Sequence, residues 1–162
     1  MKFSIMTLKS FFIIRLLSLA VGFSLGSAVA SEGTVLIVNG SSPITDMPLA
    51  IVEKLLKADL RSTPDGGKCT LILPKDGSKE LDVLLDKVYK TDANGFKKFW
   101  VNQVFQNIIS SIPRSASSRV TVKIITDDPT GIGVVNAKDV LPGVKIINVD
   151  GKGPDAPDYF LR

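Results

Sequence analysis

The sequence predicts an α/β fold in which a mainly parallel sheet is flanked by helices. Short apolar runs rich in β-branched residues recur along the chain and are typical of strands buried on both faces. The longer stretches between them repeat apolar residues at helical spacing and place charged residues on the opposite side. Strands that alternate with helices in this way favour a layered α/β structure.

The composition indicates one folded domain and excludes several kinds of active site. The chain has 162 residues, of which 44% are apolar and 22% charged, and it contains no histidine and one cysteine, Cys69. A Ser-His-Asp or Cys-His nucleophilic centre and a His-ligated zinc site are therefore excluded. A single cysteine cannot form an internal disulfide. We expect no catalytic residues, no bound metal and no cofactor.

Residues 1–30 have the order of an export signal. A basic start and an apolar run are followed by the small residues Ala28-Val29-Ala30, which are typical of a signal-peptide cleavage site. Arg15 interrupts the apolar run, and this favours a cleaved signal over a membrane-spanning anchor. We therefore expect a signal peptide at 1–30, a domain at 31–162 and a periplasmic or secreted location.

The charge of the mature chain does not indicate a nucleic-acid partner. Three of the 20 Lys and Arg residues lie in the leader, which has no acidic residue, and the remaining 17 stand against 16 Asp and Glu, a net charge of +1. Nucleic-acid binding calls for a basic patch. We expect neither a nucleic acid nor, after signal cleavage, a membrane as a partner.

The first part of the domain predicts two strands with a helix between them. Residues 35–38 form an apolar run that ends at a polar turn, and residues 69–73 form a second such run. Between them, residues 49–56 repeat apolar positions at helical spacing. Asp46 fits the N-cap of that helix and Pro48 its first turn.

The later part of the chain continues the alternation, with one ambiguous segment. In residues 119–125, Val120, Val122 and Ile124 alternate as in a strand, whereas Ser117-Ser118 before them fits a helix cap. The other predicted elements are a turn-rich loop at 61–68, a helix at 78–89, a polar turn at 91–95, a long helix at 96–109, a strand at 132–135, a helical turn at 137–140, a strand at 144–149 and a Gly/Pro-rich tail at 150–162.

Polar residues follow three of the predicted strands. Ser41-Ser42 follows the first strand, residues 75–78 follow the second, and Asn136 follows the strand at 132–135. In parallel α/β sheets, ligands bind beyond the carboxyl ends of the strands. We expect the ligand site at this edge of the sheet.

The segment 71–78, which ends in Asp76-Gly77-Ser78, resembles the strand–Asp-Gly-Ser-Gly-Thr–helix element of periplasmic phosphate-binding proteins. These are the substrate receptors of phosphate ABC transporters. Five further stretches are similar to the family in the same order: residues 38–44, residues 55–60 followed by Pro64-Asp65-Gly66, Phe99-Trp100 followed by Phe105, residues 128–135, and residues 143–154. The likeness spans about residues 34–160.

The resemblance implies a fold like one lobe of a type 2 periplasmic binding protein, with a helix rather than a strand at 119–127. The family has two lobes that close over the ligand, and the mature chain is long enough for about one. Lys79 and Glu80 replace the Gly-Thr that continues the family motif, and Lys75 is at best a substitute for an arginine before it.

Two hypotheses fit the turn at 75–78. A helix N-terminus binds anions through unpaired N–H groups, while Gly77 allows close approach and Ser78 and Lys75 add a hydroxyl and a charge. In an ordinary helix cap, Asp76 or Ser78 accepts the first-turn N–H groups instead. The Asp76 carboxylate also repels an oxyanion unless a proton is shared. The candidate anion-binding residues are Lys75, Asp76, Gly77, Ser78, Ser41 and Ser42.

The expected function is weak binding of phosphate or a similar small oxyanion by an exported, solute-binding-like protein. The alternative is an interaction or structural module that kept the fold, lost the ligand and holds another protein or its own copy. An enzyme is the weakest hypothesis, because no nucleophile–base pair or metal cluster can be assembled from these residues.

The leader generates the first prediction. Signal-peptide cleavage after Ala30 should leave Ser31 as the mature N-terminus in an extracytoplasmic, membrane-free fraction. N-terminal sequencing of the protein recovered from that fraction checks this. Met1 retained in a membrane fraction would contradict it.

Overall fold

The computed structural model describes residues 33–63 and 66–162, and the predicted signal peptide and Pro64-Asp65 lie outside these ranges. The strands are β1 (Thr34–Asn39), β2 (Asp46–Met47), β3 (Thr70–Ile72), β4 (Gly131–Asn136), β5 (Val144–Ile146) and β6 (Asn148–Val149). The helices are α1 (Leu49–Leu56), α2 (Lys79–Leu84), which continues as a π-helical turn (Leu85–Tyr89), α3 (Ala93–Phe105) and α4 (Ser118–Asp127), with a 3₁₀ turn at Ala137–Asp139.

The central sheet has four strands in the order β3-β4-β1-β5, and β2 pairs with β6 in a separate two-stranded sheet. All six residues of β1 are buried, as the apolar run at 35–38 predicts. The α/β class, with a central sheet and flanking helices, is confirmed. The sheet is mixed rather than mainly parallel: β3 is parallel to β4, but β1 is antiparallel to both β4 and β5. A strand buried on both faces has the same apolar pattern in either direction, so the pattern does not encode this.

Two glycines of β4 bring α4 close to one face of the sheet. A Cβ atom at Gly133 would lie 2.9 Å from side-chain carbons of both Thr121 and Ile125, and one at Gly131 would lie 3.1 Å from Ile125 Cα. Side chains at these two positions would hold the helix away from the sheet. Close packing of α4 therefore depends on the Gly131-Ile132-Gly133 sequence.

The ambiguous segment at 119–125 is helical, so the helix that the family resemblance implies is confirmed and the strand is wrong. Ser117 Oγ accepts a hydrogen bond from the Val120 N–H at 3.3 Å and caps α4. The buried residues of α4 are Thr121, Val122 and Ile125. Burial at helical spacing against the glycine face outweighs the β-propensity of Val120 and its neighbours.

An aromatic cluster joins α3 to the π-helical turn. Trp100 is fully buried and packs edge-on against Phe99, Phe96 and Tyr89 at ring-centroid distances of 5.3, 6.2 and 6.4 Å. The Tyr89 hydroxyl donates to the Leu56 carbonyl and thereby ties this cluster to α1. Burial raises the pKa of Tyr89, so the hydroxyl stays protonated and keeps this bond.

Three element boundaries differ from the sequence prediction. Asp46 does not cap α1, since it lies in β2 and its carboxylate accepts the Gly151 N–H at 2.8 Å. Asp92 accepts the Gly95 N–H at 2.7 Å and caps α3, so the polar turn predicted at 91–95 lies partly inside a helix that ends at Phe105. The strand predicted at 144–149 is divided between two sheets, β5 and β6.

Within residues 33–63 and 66–162, none of the helices combines the length and the apolar character that crossing a membrane requires.

The burial of Trp100 generates a stability prediction. Trp100→Ala should lower the free energy of unfolding by roughly 3–5 kcal/mol, because it removes a large buried side chain and leaves a cavity. Phe105→Ala on the same helix is the matched control, since Phe105 is 80% exposed, and should change stability by less than about 0.5 kcal/mol. Urea titration followed by circular dichroism measures both, and equal midpoints for the two variants would contradict the assignment.

The environment of Cys69 generates a prediction about its reactivity. Cys69 is partly buried and immediately precedes β3. Burial, aided by the Asp128 carboxylate, raises the pKa of the Cys69 thiol to about 12. Because only the thiolate reacts, iodoacetamide at pH 8 should alkylate the native protein about a thousandfold more slowly than the protein unfolded in urea. Mass spectrometry measures both rates, and similar rates would show an accessible thiolate.

Candidate functional site

The antiparallel direction of β1 separates the predicted site residues. Asn136, at the end of β4, lies opposite Thr34, the first residue of β1, and the parallel strand β3 ends at this same edge. The turn at 75–78 and Asn136 therefore lie at one edge of the sheet. Ser41-Ser42 follows the carboxyl end of β1 and lies at the opposite edge. The expectation that these residues gather at one edge is wrong for Ser41 and Ser42.

The turn at 75–78 is built by a glycine and a serine. Gly77 has φ +71°, a left-handed conformation that strains other residues. The Ser78 N–H donates to the Lys75 carbonyl at 3.2 Å and closes the turn. Ser78 Oγ accepts the Leu81 N–H at 3.2 Å, so Ser78 is the N-cap of α2. The hydroxyl proton is not used by this bond and is free to be donated.

Arg114, which is distant from the turn in the sequence, contacts it in the folded chain. It forms an ion pair with Asp76, and its guanidinium carbon lies 5.1 Å from the centre of the Phe96 ring. The Arg114 side chain is 21% exposed, whereas that of Asp76 is 70% exposed. Arg114 Nε is buried and has no hydrogen-bond partner among the described residues. Burial lowers the pKa of Arg114, and a guanidinium still remains charged at neutral pH.

A backbone bridge holds Arg114 at this place. Residue 114 lies parallel to Leu73, just beyond β3. The Leu73 N–H donates to the Pro113 carbonyl at 2.6 Å, and the Ser115 N–H donates to the Leu73 carbonyl at 3.1 Å. The sequence around Arg114 has no strand or helix periodicity. Sequence reasoning missed this residue, and no local signal marks it.

Asn136 connects the end of β4 to the helices on both sides. Its side-chain amide donates to Glu80 Oε1 at 3.1 Å, and its side-chain carbonyl accepts the Lys138 N–H at 3.2 Å. Its backbone N–H donates to Ser118 Oγ at 3.1 Å. The two side-chain bonds fix the orientation of the side chain and place the Glu80 carboxylate beside it.

At the opposite edge of the sheet, Ser41 and Ser42 form hydrogen bonds within and around the loop that follows β1. The N–H and the hydroxyl of Ser41 both donate to Asn39 Oδ1, at 2.9 and 2.6 Å. Ser42 Oγ accepts the Ile44 N–H at 3.3 Å, and the Ser42 carbonyl accepts from Lys145 Nζ. Asn39 also donates to the Ile125 carbonyl at 2.7 Å. The Asn39 bond connects β1 to the end of α4, and the two serines have a structural role in the loop that follows β1.

Among the described residues, His, Cys, Asp and Glu side chains do not form a group of three or more that could hold a metal ion.

The fold is similar to about half of several solved structures. A PstS from Borrelia burgdorferi has a TM-score of 0.60 and 13% identity over 80% of this chain and 54% of its own. A protein from Clostridium perfringens, described as a phosphate ABC transporter substrate-binding protein with bound phosphate, has a TM-score of 0.59 and 17% identity over 75% and 46% of the two chains. An ABC-type phosphate transport receptor from Vibrio cholerae has a TM-score of 0.58 and 12% identity over 76% and 48%.

No protein-family model and no curated protein sequence matches this chain. At 12–17% identity, the likeness to the solved structures is one of fold. The chain spans about half the length of the structures that it matches and corresponds to a single lobe of the periplasmic-binding-protein fold.

Proposed function

We propose that the protein is an exported, solute-binding-like protein that binds phosphate or a similar small oxyanion weakly at the turn of residues 75–78. The Arg114 guanidinium beside Asp76-Gly77-Ser78 is the observation that carries the proposal. It supplies the strong oxyanion donor that the sequence lacks there. The solved structures of similar fold are described as phosphate receptors and substrate-binding proteins, and this supports a binding role over an enzymatic one.

The donors around the turn suit an oxyanion. The Ser78 hydroxyl can donate outward while its oxygen accepts the Leu81 N–H. The Arg114 guanidinium has five N–H donors in a planar fork that matches oxyanion geometry, and Lys75 adds an exposed positive charge. A bound anion would share Arg114 with Asp76.

The Asp76 carboxylate gives the site a means to distinguish oxyanions. It repels a fully deprotonated anion but can accept a hydrogen bond from an anion that carries a proton. Phosphate carries at least one proton at neutral pH, whereas sulfate carries none. The proposed site therefore prefers phosphate.

Weak affinity follows from the open geometry. The Asp76 side chain is 70% exposed, so one side of a bound anion stays in water, where a high effective dielectric weakens charge interactions. We expect a Kd on the order of 0.1–10 mM for phosphate, weakened further by salt.

A titration with phosphate and sulfate at constant ionic strength, followed by amide NMR, tests the proposal. Phosphate should shift amides of residues 75–80 and 114. Arg114→Lys should weaken binding about tenfold, since it keeps the charge and loses the planar fork. Arg119→Lys is the matched control: Arg119 also pairs with an aspartate, Asp139, but its side chain is 81% exposed and belongs to α4. Asp76→Asn should remove most of the preference for phosphate over sulfate.

Two outcomes would contradict this function. The first is the absence of shifts at tens of millimolar phosphate. The second is equal affinity in Arg114→Lys and the wild type. In the first case Ser78 is a helix cap alone, and in the second the anion is bound without the planar fork of Arg114.

Exposed apolar side chains favour a second candidate function, an interaction module. Phe105 is 80% exposed and Leu141 is 53% exposed, while Val120 and Ile124 of α4 are 41% and 38% exposed. Val120 and Ile124 are about one helical turn apart and share a face of α4, which suits contact with another protein or with a second copy of the chain. Sedimentation equilibrium across a concentration series separates the two functions, because a ligand-free module of this kind should associate and a simple anion receptor should stay monomeric.

A further inference from the structure

β3 is an edge strand of the central sheet, and one side of it faces away from the other strands. The sheet has the order β3-β4-β1-β5, so only β4 pairs with β3. On the side of β4, the Thr70 N–H donates to the Thr130 carbonyl at 2.9 Å. Successive residues of a strand direct their N–H and C=O groups to opposite sides. The N–H and the C=O of Leu71 therefore point to the outer side.

Two neighbouring segments close the outer side of β3 at its ends and leave Leu71 unpaired. The Cys69 N–H donates to the Arg61 carbonyl at 2.9 Å, and the Leu73 N–H donates to the Pro113 carbonyl at 2.6 Å. The pairing at Leu73 cannot extend back to the Leu71 carbonyl, because proline has no N–H. Among the described residues, no group forms a hydrogen bond with Leu71 on this outer side.

A cavity of about 360 Å³ lies along the unpaired part of β3. The apolar residues Leu55, Leu60 and Ile109 line it together with the strand. The two closed positions, Cys69 and Leu73, are four residues apart, which corresponds to about 13 Å in a strand. The edge therefore has room for about three residues of an extended chain.

The cavity is positively charged at the end where β3 begins. Arg61 and Lys68 both line it and are exposed, and neither forms an ion pair within 4 Å among the described residues. The hydrogen bond between Cys69 and the Arg61 carbonyl holds residue 61 at this end. The nearby Asp128 carboxylate already accepts the N–H and the hydroxyl of Thr130 at 2.8 and 2.7 Å. None of the described lining residues is acidic.

The structural alternative is that water satisfies Leu71 and that Arg61 and Lys68 only protect the edge. Charged side chains on an edge strand do discourage pairing with another chain. Such protection does not require an apolar cavity along the same edge. It also does not act against a chain that carries a carboxylate, because the two cations attract that chain.

We propose that the outer side of β3 binds the C-terminal end of an extended peptide by β-strand addition. The peptide runs antiparallel to β3, and one of its residues exchanges two backbone hydrogen bonds with Leu71. Its terminal carboxylate faces Arg61 and Lys68, and its apolar side chains pack on Leu55 and Ile109. This site does not depend on the oxyanion site.

Charge and space together select this occupant. A parallel peptide would direct its N-terminal end to the cations, whereas an antiparallel one directs its carboxylate to them. The edge beyond Cys69 is already paired with residue 61, so a bound strand has to stop there. A chain end fits this limit better than the middle of a long strand does.

Hydrogen exchange of the free protein tests the geometry of the edge. The Leu71 N–H should exchange with solvent at least about tenfold faster than the N–H of Ile72, which points to β4. Equal protection of the two amides would mean that the outer side of β3 is already paired, and the proposal would be wrong.

Binding is tested with an acetylated valine-alanine-valine peptide that has a free carboxylate, followed by amide NMR and hydrogen exchange. We expect a Kd on the order of 1 mM, because the peptide gains two backbone hydrogen bonds and one charged contact. Amides of residues 69–73 and 109–112 should shift. At about ten times the Kd, exchange of the Leu71 N–H should slow about tenfold, because only the unbound protein exchanges.

Two further peptides separate the contacts. The same peptide with a C-terminal amide loses the charged contact and should bind about tenfold more weakly. The peptide with an N-methyl group on its alanine cannot donate to the Leu71 carbonyl and should also bind at least about tenfold more weakly.

The double variant Arg61→Gln and Lys68→Gln tests the cations. It should weaken the carboxylate peptide about tenfold and leave the amide peptide unchanged. Lys54→Gln is the matched control, since Lys54 is an exposed lysine of α1 that does not line the cavity. If the double variant does not fold, as judged by circular dichroism, Lys68→Gln alone replaces it with the same expected direction.

The proposal is overturned if the carboxylate peptide causes no shifts at tens of millimolar, or if it binds no better than its amide or its N-methyl analogue. It is also overturned if the double variant keeps wild-type affinity, and self-association of that variant would then support mere edge protection. Arg114→Lys should weaken phosphate binding and leave peptide binding unchanged, so failure of one site does not imply failure of the other.

Discussion

The antiparallel pairing of β1 with β4 decides which loops of the molecule can act together. β1 lies inside the sheet with all six residues buried, and its direction determines the edge at which its carboxyl end emerges. That edge is where β3 and β4 begin. The serines after β1 therefore close a structural loop on Asn39, whereas the turn after β3 and the end of β4 form the other edge. A parallel β1 would have brought both polar loops together.

The sequence predicts the elements of this fold better than their relative directions. The apolar runs at 35–38 and 132–135 identify β1 and β4, because burial on both faces requires such runs. The same runs suit either strand direction. The prediction that the polar loops share one edge of the sheet is therefore correct for residues 75–78 and Asn136 but not for Ser41 and Ser42. The helix α4 has the alternation of a strand at Val120, Val122 and Ile124, and its true partner surface, the glycine face of β4, exists only after folding. Local propensity alone therefore favoured the wrong element.

At the turn of residues 75–78, the sequence likewise predicts the local structure but not the partner that a distant segment supplies. The motif Asp76-Gly77-Ser78 predicts a short polar turn before a helix, and the structure has both, with Gly77 in a left-handed conformation. The charge that complements Asp76 comes from Arg114, which the chain brings in by a backbone bridge to Leu73. The spacing of residues in the sequence does not reveal Arg114 as a partner of Asp76, because its position depends on where the chain returns to the sheet after α3. The cap and the ion pair together hold the turn in place.

Asn136 connects the central sheet to both α2 and α4 by hydrogen bonds. Ser118 at the start of α4 holds its backbone N–H, and Glu80 at the start of α2 holds its side-chain amide. The two helices lie on opposite faces of the sheet, yet a single residue at the end of β4 joins their first turns. Because Gly131 and Gly133 bring α4 against the backbone of the same strand, α4 has little room to move independently of β4. A displacement of α4 is therefore transmitted through one strand end to the carboxylate on the far side of the sheet.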